Sequence, residues 1–280
     1  MQTRKKFLVN ATLLSAGTVL FPYLVNAAAK KNTTAGVQLY SFRNEMAADA
    51  LGTLKKIAAL GIKQIESAKS SKGHYYGLTP KEMKQACADL GMTLRSGHVH
   101  IDDKWKYTMD EAAESGQEYI ICSTMPTAGQ TADNYKKVAD TFNKAGEDCK
   151  KLGIKFGYHN HEYEFESDNG QLLYDILLDH TAADLVHMEM DLGWVIVAGK
   201  NPLDYFSKYP GRFPLWHLKD MDIVKKHSVE FGKGGLDIVQ MLKHSKQAQM
   251  KYFFIEQEEY ASTPFESMKE NMGYLKKMKL

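Results

Sequence analysis

The chain has 280 residues, of which 44% are hydrophobic and 25% charged, with a formal charge of +2 and three cysteines. That usage excludes a disordered or low-complexity polymer and supplies enough apolar side chains for one sizeable core. Cys87, Cys122 and Cys149 are odd in number and widely spaced, which argues against a disulfide framework and against a paired-cysteine metal site.

The N-terminus stands apart from the rest. Arg4, Lys5 and Lys6 precede an apolar stretch from Phe7 to Val25, and Asn26-Ala27-Ala28-Ala29 follows. A basic start, a greasy centre and a small-residue exit form a secretory signal. Cleavage is expected after Ala27 or within two residues of it, making residues 1–29 a signal segment and 30–280 the domain. An uncleaved anchor is the alternative, since the run is near the ~20 residues that span a bilayer, but Asn10, Ser15, Gly17 and Pro22 interrupt it. Arg4-Lys5-Lys6-Phe7-Leu8 also has the look of a weakened twin-arginine signal. The protein is therefore expected to be exported, to the periplasm, with membrane contact only through this segment. The formal +2 less the three basic residues of positions 1–27 leaves −1 for the exported part. A nucleic-acid partner is not expected, because such binders carry a basic surplus.

From residue 36 onward the pattern alternates strand and helix eight times. The predicted strands are Gly36 to Tyr40, Ile62 to Glu66, Thr93 to His98, Tyr119 to Cys122, Lys155 to Asn160, Leu185 to Asp191, Phe213 to His217 and Tyr252 to Glu256. Short apolar runs of this kind read as buried parallel strands. Between them, Thr79-Pro80-Lys81-Glu82 and Thr263-Pro264-Phe265-Glu266 start helices with a hydroxyl cap, a proline and a glutamate in register. Leu60-Gly61, Leu90-Gly91 and Leu152-Gly153 stop helices just before a strand. Cys149 falls on the apolar stripe Val138, Phe142, Ala145, Cys149, Leu152, and Cys122 ends an apolar run, so both read as core residues. Roughly 250 residues in eight right-handed units give an α/β protein, a single (β/α)8 TIM barrel behind the signal segment. An open doubly wound sheet is the runner-up. It usually carries a glycine-rich turn after its first strand, where this chain has Tyr40-Ser41-Phe42-Arg43.

In such a barrel the carboxyl ends of the strands converge on one open face. His159 and His161 lie two apart on the fifth strand, on one face. His98 and His100 end the third strand, Glu66 the second, Asp191 the sixth with Glu189 two residues before it, His217 the seventh and Glu256 the eighth. Five histidines at three strand ends are hard to explain as core filler. A carboxylate closing a buried strand is costly unless it meets a cation or hydrogen-bond donors; for Asp191 the bland reading is a helix cap. His217 and Lys219 share a face, putting a ligand beside a cation able to hold an oxyanion.

The chain resembles the xylose-isomerase-like barrels known as sugar phosphate isomerases or epimerases, a group that also includes endonuclease IV, inosose dehydratase and tagatose epimerase. The resemblance covers the whole exported part. Its most specific pieces are Gly36-Val37-Gln38-Leu39-Tyr40-Ser41-Phe42-Arg43, Tyr158-His159-Asn160-His161 with Glu164-Phe165, Asp191-Leu192-Gly193-Trp194 with Ala198-Gly199 and Pro202, His217-Leu218-Lys219-Asp220, and Glu256-Gln257. It implies one divalent ion (manganese, zinc, cobalt or magnesium) held by a Glu, an Asp, a His and a Glu from the fifth to eighth strands. Asp191, His217 and Glu256 match the last three. Where many members read Glu-Asn-His, this chain reads His159-Asn160-His161. Either His159 is the fourth ligand, or Glu162 or Glu164 reaches in from the following loop.

The chemistry implied is proton abstraction next to a carbonyl, with the ion and Lys219 stabilising the enediolate and Glu256 or His161 moving the proton. Tyr40, Arg43, Glu66, His98, Trp194 and Lys219 are the expected substrate contacts, with Phe42 joining Tyr40 and Trp194 in an apolar wall for a sugar ring. An isomerase or epimerase is the first expectation. A hydratase or dehydratase acting on a keto-sugar or unsaturated glycoside is the second, because replacing one metal-held glutamate weakens two-base epimerisation. A non-catalytic sugar-binding barrel is the third. A small-molecule sugar is the expected partner, unphosphorylated because sugar phosphates are chiefly intracellular, and a homodimer is compatible with the chain.

Overall fold

The computed structural model describes residues 34–278; the expected signal segment, residues 1–29, lies outside the described residues. Eight parallel strands close into a barrel: β1 (Gly36–Gln38), β2 (Gln64–Ser67), β3 (Thr93–Val99), β4 (Tyr119–Cys122), β5 (Lys155–His159), β6 (Val186–Asp191), β7 (Leu215–Leu218) and β8 (Tyr252–Ile255). Closure is made by β1 pairing with both β2 and β8, so the predicted (β/α)8 barrel is the fold, and the open sheet is not.

Among the described residues ten helices surround it: α1 (Arg43–Ala48), α2 (Ala50–Ala59), α3 (Pro80–Asp89), α4 (Trp105–Ser115), α5 (Ala132–Lys151), α6 (Leu173–His180), α7 (Leu192–Val197), α8 (Pro202–Lys208), α9 (Ile238–Lys243) and α10 (Pro264–Lys277). Their ends follow the local chemistry. Thr79 and Glu82 form a reciprocal capping box at the start of α3, and Thr263 accepts from the Glu266 backbone at the start of α10. Gly61, Gly91 and Gly153 sit at φ of 89°, 66° and 72°, the left-handed stop that a side chain would resist. Among the described residues no helix is long and apolar enough to cross a membrane.

Two apolar layers divide the core. The outer faces of the strands pack on the helices, as where Trp216 stacks on Phe206 of α8 with ring centroids 4.8 Å apart. The barrel interior is floored by Tyr119, Ile121, Leu215 and Phe254. Glycine is required beside that floor, because a Cβ on Gly157 would come within 2.8 Å of Ile121 Cδ1. Above the floor the inward positions become polar: Glu66, His98, His159, Glu189, Asp191, His217 and Glu256 are all buried. Alternation along each strand therefore turns an apolar plug into a charged layer within one or two residues.

Strand bounds differ from the sequence reading at several ends. β1 stops at Gln38 because the Gln38 side chain accepts from Tyr40 N (3.0 Å) and winds Leu39–Phe42 into a 3-10 turn. β7 begins at Leu215, after Pro214, which has no N–H to donate. Two short hairpins, Ser167–Asp168 with Gln171–Leu172 and Asp220–Asp222 with His227–Val229, were not foreseen. The second is held by buried Asp220, whose carboxylate accepts from the backbone of Gly232 (2.8 Å), Gly234 (3.1 Å) and Leu236 (3.0 Å). All three cysteines are buried and unpaired.

Candidate metal centre

Four consecutive strands each deliver one side chain to the same point. His159 ends β5, Asp191 ends β6, His217 lies within β7, and Glu256 follows β8. One ligand atom from each lies within 4.8 Å of the other three. His217 Nδ1 is 2.9 Å from Glu256 Oε2 and 3.0 Å from His159 Nε2, while Asp191 Oδ2 is 3.5 Å from that same His159 nitrogen. Asp191 Oδ1 accepts from Trp194 N (3.0 Å) and caps α7, the bland reading from the sequence, and Oδ2 is turned into the cluster.

The residues fit a divalent cation. Asp191 Oδ2, turned into the cluster with Lys219 Nζ 3.3 Å away, is buried without a hydrogen-bond partner, a condition a native interior avoids unless an ion or water completes the site. Two imidazoles and two carboxylates form a donor set suited to zinc, cobalt or manganese. Ionisation favours ligation at two of the four positions: burial, then the positive charge of His217, holds His159 well below its ordinary value and so neutral, whereas at Glu256 burial is outweighed by Lys219 and His217, keeping it ionised. Asp191 is raised by burial, although Lys219 and His217 oppose this. At His217 burial acts downward, but Glu189 and Glu256 prevail and raise it well above the usual range, the behaviour of an imidazole standing among carboxylates.

A deeper group, His98 and Glu189 with the same His159 and His217, also lies within ligand distance. Glu189 Oε1 is left without a hydrogen-bond partner there as well. His98 Nε2 is 2.7 Å from Glu189 Oε2, His217 Nε2 is 2.6 Å from Glu66 Oε1, and Glu66 takes further hydrogen bonds from Gln38 (2.8 Å) and from Ser96. This layer orients His217 from below. Burial, then Glu189, pushes the Glu66 carboxyl up to about 7, and burial holds His98 down at about 4.

Above the cluster opens a cleft of about 370 Å³. Tyr40, His98, His161, Trp194, Lys219 and Glu256, all named from the sequence, line it. Lys219 is buried, with Nζ 2.9 Å from Glu256, 3.3 Å from Asp191 and 2.6 Å from Glu258, and it lies 5.0 Å from the centre of the Trp194 ring. His161 stacks on Tyr163 with ring centroids 5.3 Å apart, and its Nδ1 is 3.2 Å from the Tyr163 hydroxyl. Burial, then Lys219, lowers His161 to about 4, so its ring is a neutral proton acceptor.

Other expected residues lie elsewhere. Glu164 is turned to the far side of β5, where it pairs with the Tyr158 hydroxyl and accepts from His161 N (2.8 Å); burial raises it to about 7. Glu162 faces Lys226 at 3.5 Å. The structure thus brings His159, and neither glutamate, to the cluster, because strand alternation points 159 inward and 158 outward. Glu66 sits under the cluster and does not line the cleft. Arg43 spans from the Tyr40 carbonyl (3.2 Å) to the Glu258 carbonyl (3.1 Å) and holds the rim. Phe42 is a core residue packed on Phe265 (4.7 Å), so of the three expected wall residues Tyr40 and Trp194 line the cleft. Glu258 and Lys69, which also line the cleft, were not singled out from the sequence; the Glu256-Gln257-Glu258 spacing was the available signal for the first.

Comparison with known proteins agrees with the barrel fold. The family model for the xylose isomerase-like TIM barrel matches residues 54–278. An inosose dehydratase of Clostridium beijerinckii is 31% identical over 107 residues, 36% of this chain. That match spans about a third of the relative's own length (35%). Two solved structures of sugar phosphate isomerase/epimerase proteins from Parabacteroides distasonis superpose over the barrel. One has a TM-score of 0.79 at 29% identity, covering 88% of this chain and 99% of that one; the other has 0.78 at 25%, covering 89% and 95%.

Proposed function

The chain belongs to the xylose isomerase-like TIM barrel family, and starting from that membership we propose that it is a divalent-metal-dependent carbon–oxygen lyase or hydratase acting on an unphosphorylated keto-sugar. The observation that carries the reading is the fifth-strand position. His159 there is buried and directed at His217 and Asp191, so this edge of the cleft offers an imidazole ligand and no second carboxylate base.

A divalent ion bound by His159, Asp191, His217 and Glu256 would act as a Lewis acid on the substrate carbonyl and its neighbouring hydroxyl. The chain's own groups do the rest. His161, neutral and facing the cleft, takes the proton from the carbon next to the carbonyl. Lys219, buried against Glu256 and Glu258, holds positive charge where the enolate oxygen develops. The electron pair then forms a carbon–carbon double bond as the carbon–oxygen bond one carbon further on breaks. That leaving oxygen receives a proton from the His161 imidazolium, and water or an alcohol departs. Hydration is the same path reversed. Trp194 and Tyr40 flank the ring and exclude water.

The local match to an inosose dehydratase supports a dehydration-type outcome, and the two isomerase/epimerase-like structures favour epimerisation as the second reading. The lean towards unphosphorylated substrates rests on Lys219, which is engaged by three carboxylates, and on the exported location expected from residues 1–29. The test is a panel of keto-sugars incubated with metal-loaded protein in deuterated buffer, followed by NMR and by absorbance of the conjugated enone. Metal-dependent deuteration with an unsaturated product is expected. Deuteration with inversion and no enone assigns the epimerase, and sugar binding without exchange assigns a binding protein.

A further inference from the structure

A second cavity adjoins the cleft. It is a groove of about 960 Å³ between the β2–α3 connection and α4, and Lys69 lines both it and the cleft. The mouth cleft, about 370 Å³, is near the lower limit of small-molecule sites, which run from about 300 to 1,000 Å³, and the groove is near the upper one. A substrate confined to one ring would leave the larger space without use.

The boundary between the two is light. Lys69 and Asp102 form an ion pair of 3.7 Å with both side chains nearly half exposed, a contact that opens at little cost. Inside the groove, Tyr107 is 61% exposed. Its hydroxyl donates to Glu111 Oε1 (2.9 Å), and Glu111 Oε2 lies 3.5 Å from His74 Nδ1. An exposed aromatic face lining a groove is a surface on which a sugar or aryl ring can stack, with Glu111, His74 and Thr79 as hydroxyl partners. Five acidic side chains line the groove against three lysines, a balance that repels phosphates and nucleotides and accommodates neutral polyhydroxyl groups.

We propose that this groove is a second carbohydrate subsite, which receives the neutral second ring of a glycoside while its oxidised ring lies in the mouth cleft against Trp194 and Lys219. The proposal rests on the keto-sugar reading above and specifies it: the substrate is a keto-glycoside, and the group that leaves is the ring seated on Tyr107.

The experiment is calorimetric titration of the metal-loaded full chain with methyl glucosides and galactosides of both anomers, each matched to its phenyl glycoside and a disaccharide. At least one two-ring ligand is expected to bind about tenfold tighter than its methyl partner. Tyr107→Ala should abolish that difference while leaving methyl glycoside affinity unchanged, and Tyr107→Phe should keep it. Tyr107 is exposed, so neither variant threatens folding. Equal affinity within every pair, absence of binding by every two-ring ligand, or equal weakening of both members by Tyr107→Ala overturns the subsite. Solvent-deuterium exchange into a one-ring keto-sugar separates the two claims. Exchange without two-ring discrimination rejects only the groove, and discrimination without exchange rejects only the enolisation.

Discussion

His217 and Glu66 form a buried pair, with His217 Nε2 2.6 Å from Glu66 Oε1, and this leaves Nδ1 as the nitrogen that faces Asp191, Glu256 and His159. A carboxylate behind a ligating imidazole fixes its tautomer and ring plane. Glu66 is itself fixed by Gln38 and Ser96. Glu66→Ala is expected to lower metal affinity by about 10- to 100-fold, and Glu66→Gln by less. Competitive titration against a chelating indicator measures both.

Lys219 balances three carboxylates when no ion is bound. Lys219→Met leaves them facing one another, and the metal-free protein should lose about 3–5 kcal/mol of stability. Metal should restore more of the melting temperature in the variant than it adds to the wild type. Turnover of the loaded variant should fall by about 10²- to 10³-fold, the usual loss on removing one oxyanion donor. Paired thermal melts and steady-state rates check the two effects.

In the proposed centre, His159 sets the metal as well as the chemistry. Replacing its imidazole by a carboxylate hardens the donor set, so His159→Glu should shift preference from zinc or cobalt towards manganese or magnesium. Elemental analysis after equilibration with a mixture of these ions reads the change directly. Unaltered selectivity would place His159 outside the ligand set.

At the opposite end of the barrel, Glu118 accepts from Lys251, from Tyr252 (2.8 Å) and from Lys155 (3.1 Å), tying β4 to the starts of β5 and β8. Burial raises its carboxyl, but these three bonds outweigh it and hold the group at about 2, below its ordinary 4.5. A depressed carboxyl stabilises the fold fully above its unfolded value, and that contribution is lost as pH falls through the folded one. Glu118→Gln should therefore cost about 1 kcal/mol at pH 7, with the difference shrinking between pH 4.5 and about 2. Urea titrations of both proteins across that range test it.

Much of this arrangement was legible in the order of residues. Period-2 alternation with a buried polar end identified His159, Asp191, His217 and Glu256, because an ionisable group closing an apolar strand has few explanations other than a site. The same rule excludes Glu164 in retrospect: it lies beyond the strand, and its position is set by the Tyr158 hydroxyl on the outer face. Glu66 reads as a substrate contact when its strand is ended at that residue. β2 continues to Ser67 and shifts register at Ile65/Glu66, which leaves Glu66 beneath the cluster. The groove at Tyr107 could not be foreseen. It arises from the approach of α4 to a long connection after β2, and no local pattern in either segment records that distance.

Joint ligation of one divalent ion by His159, Asp191, His217 and Glu256 underlies the proposed chemistry. Anomalous diffraction from crystals of the zinc- or manganese-loaded protein tests it most directly. A single peak bonded to Asp191 Oδ2, Glu256 Oε2, His217 Nδ1 and His159 Nε2 is expected. A peak seated instead between His98 and Glu189, or no peak in the barrel mouth after loading, would contradict it.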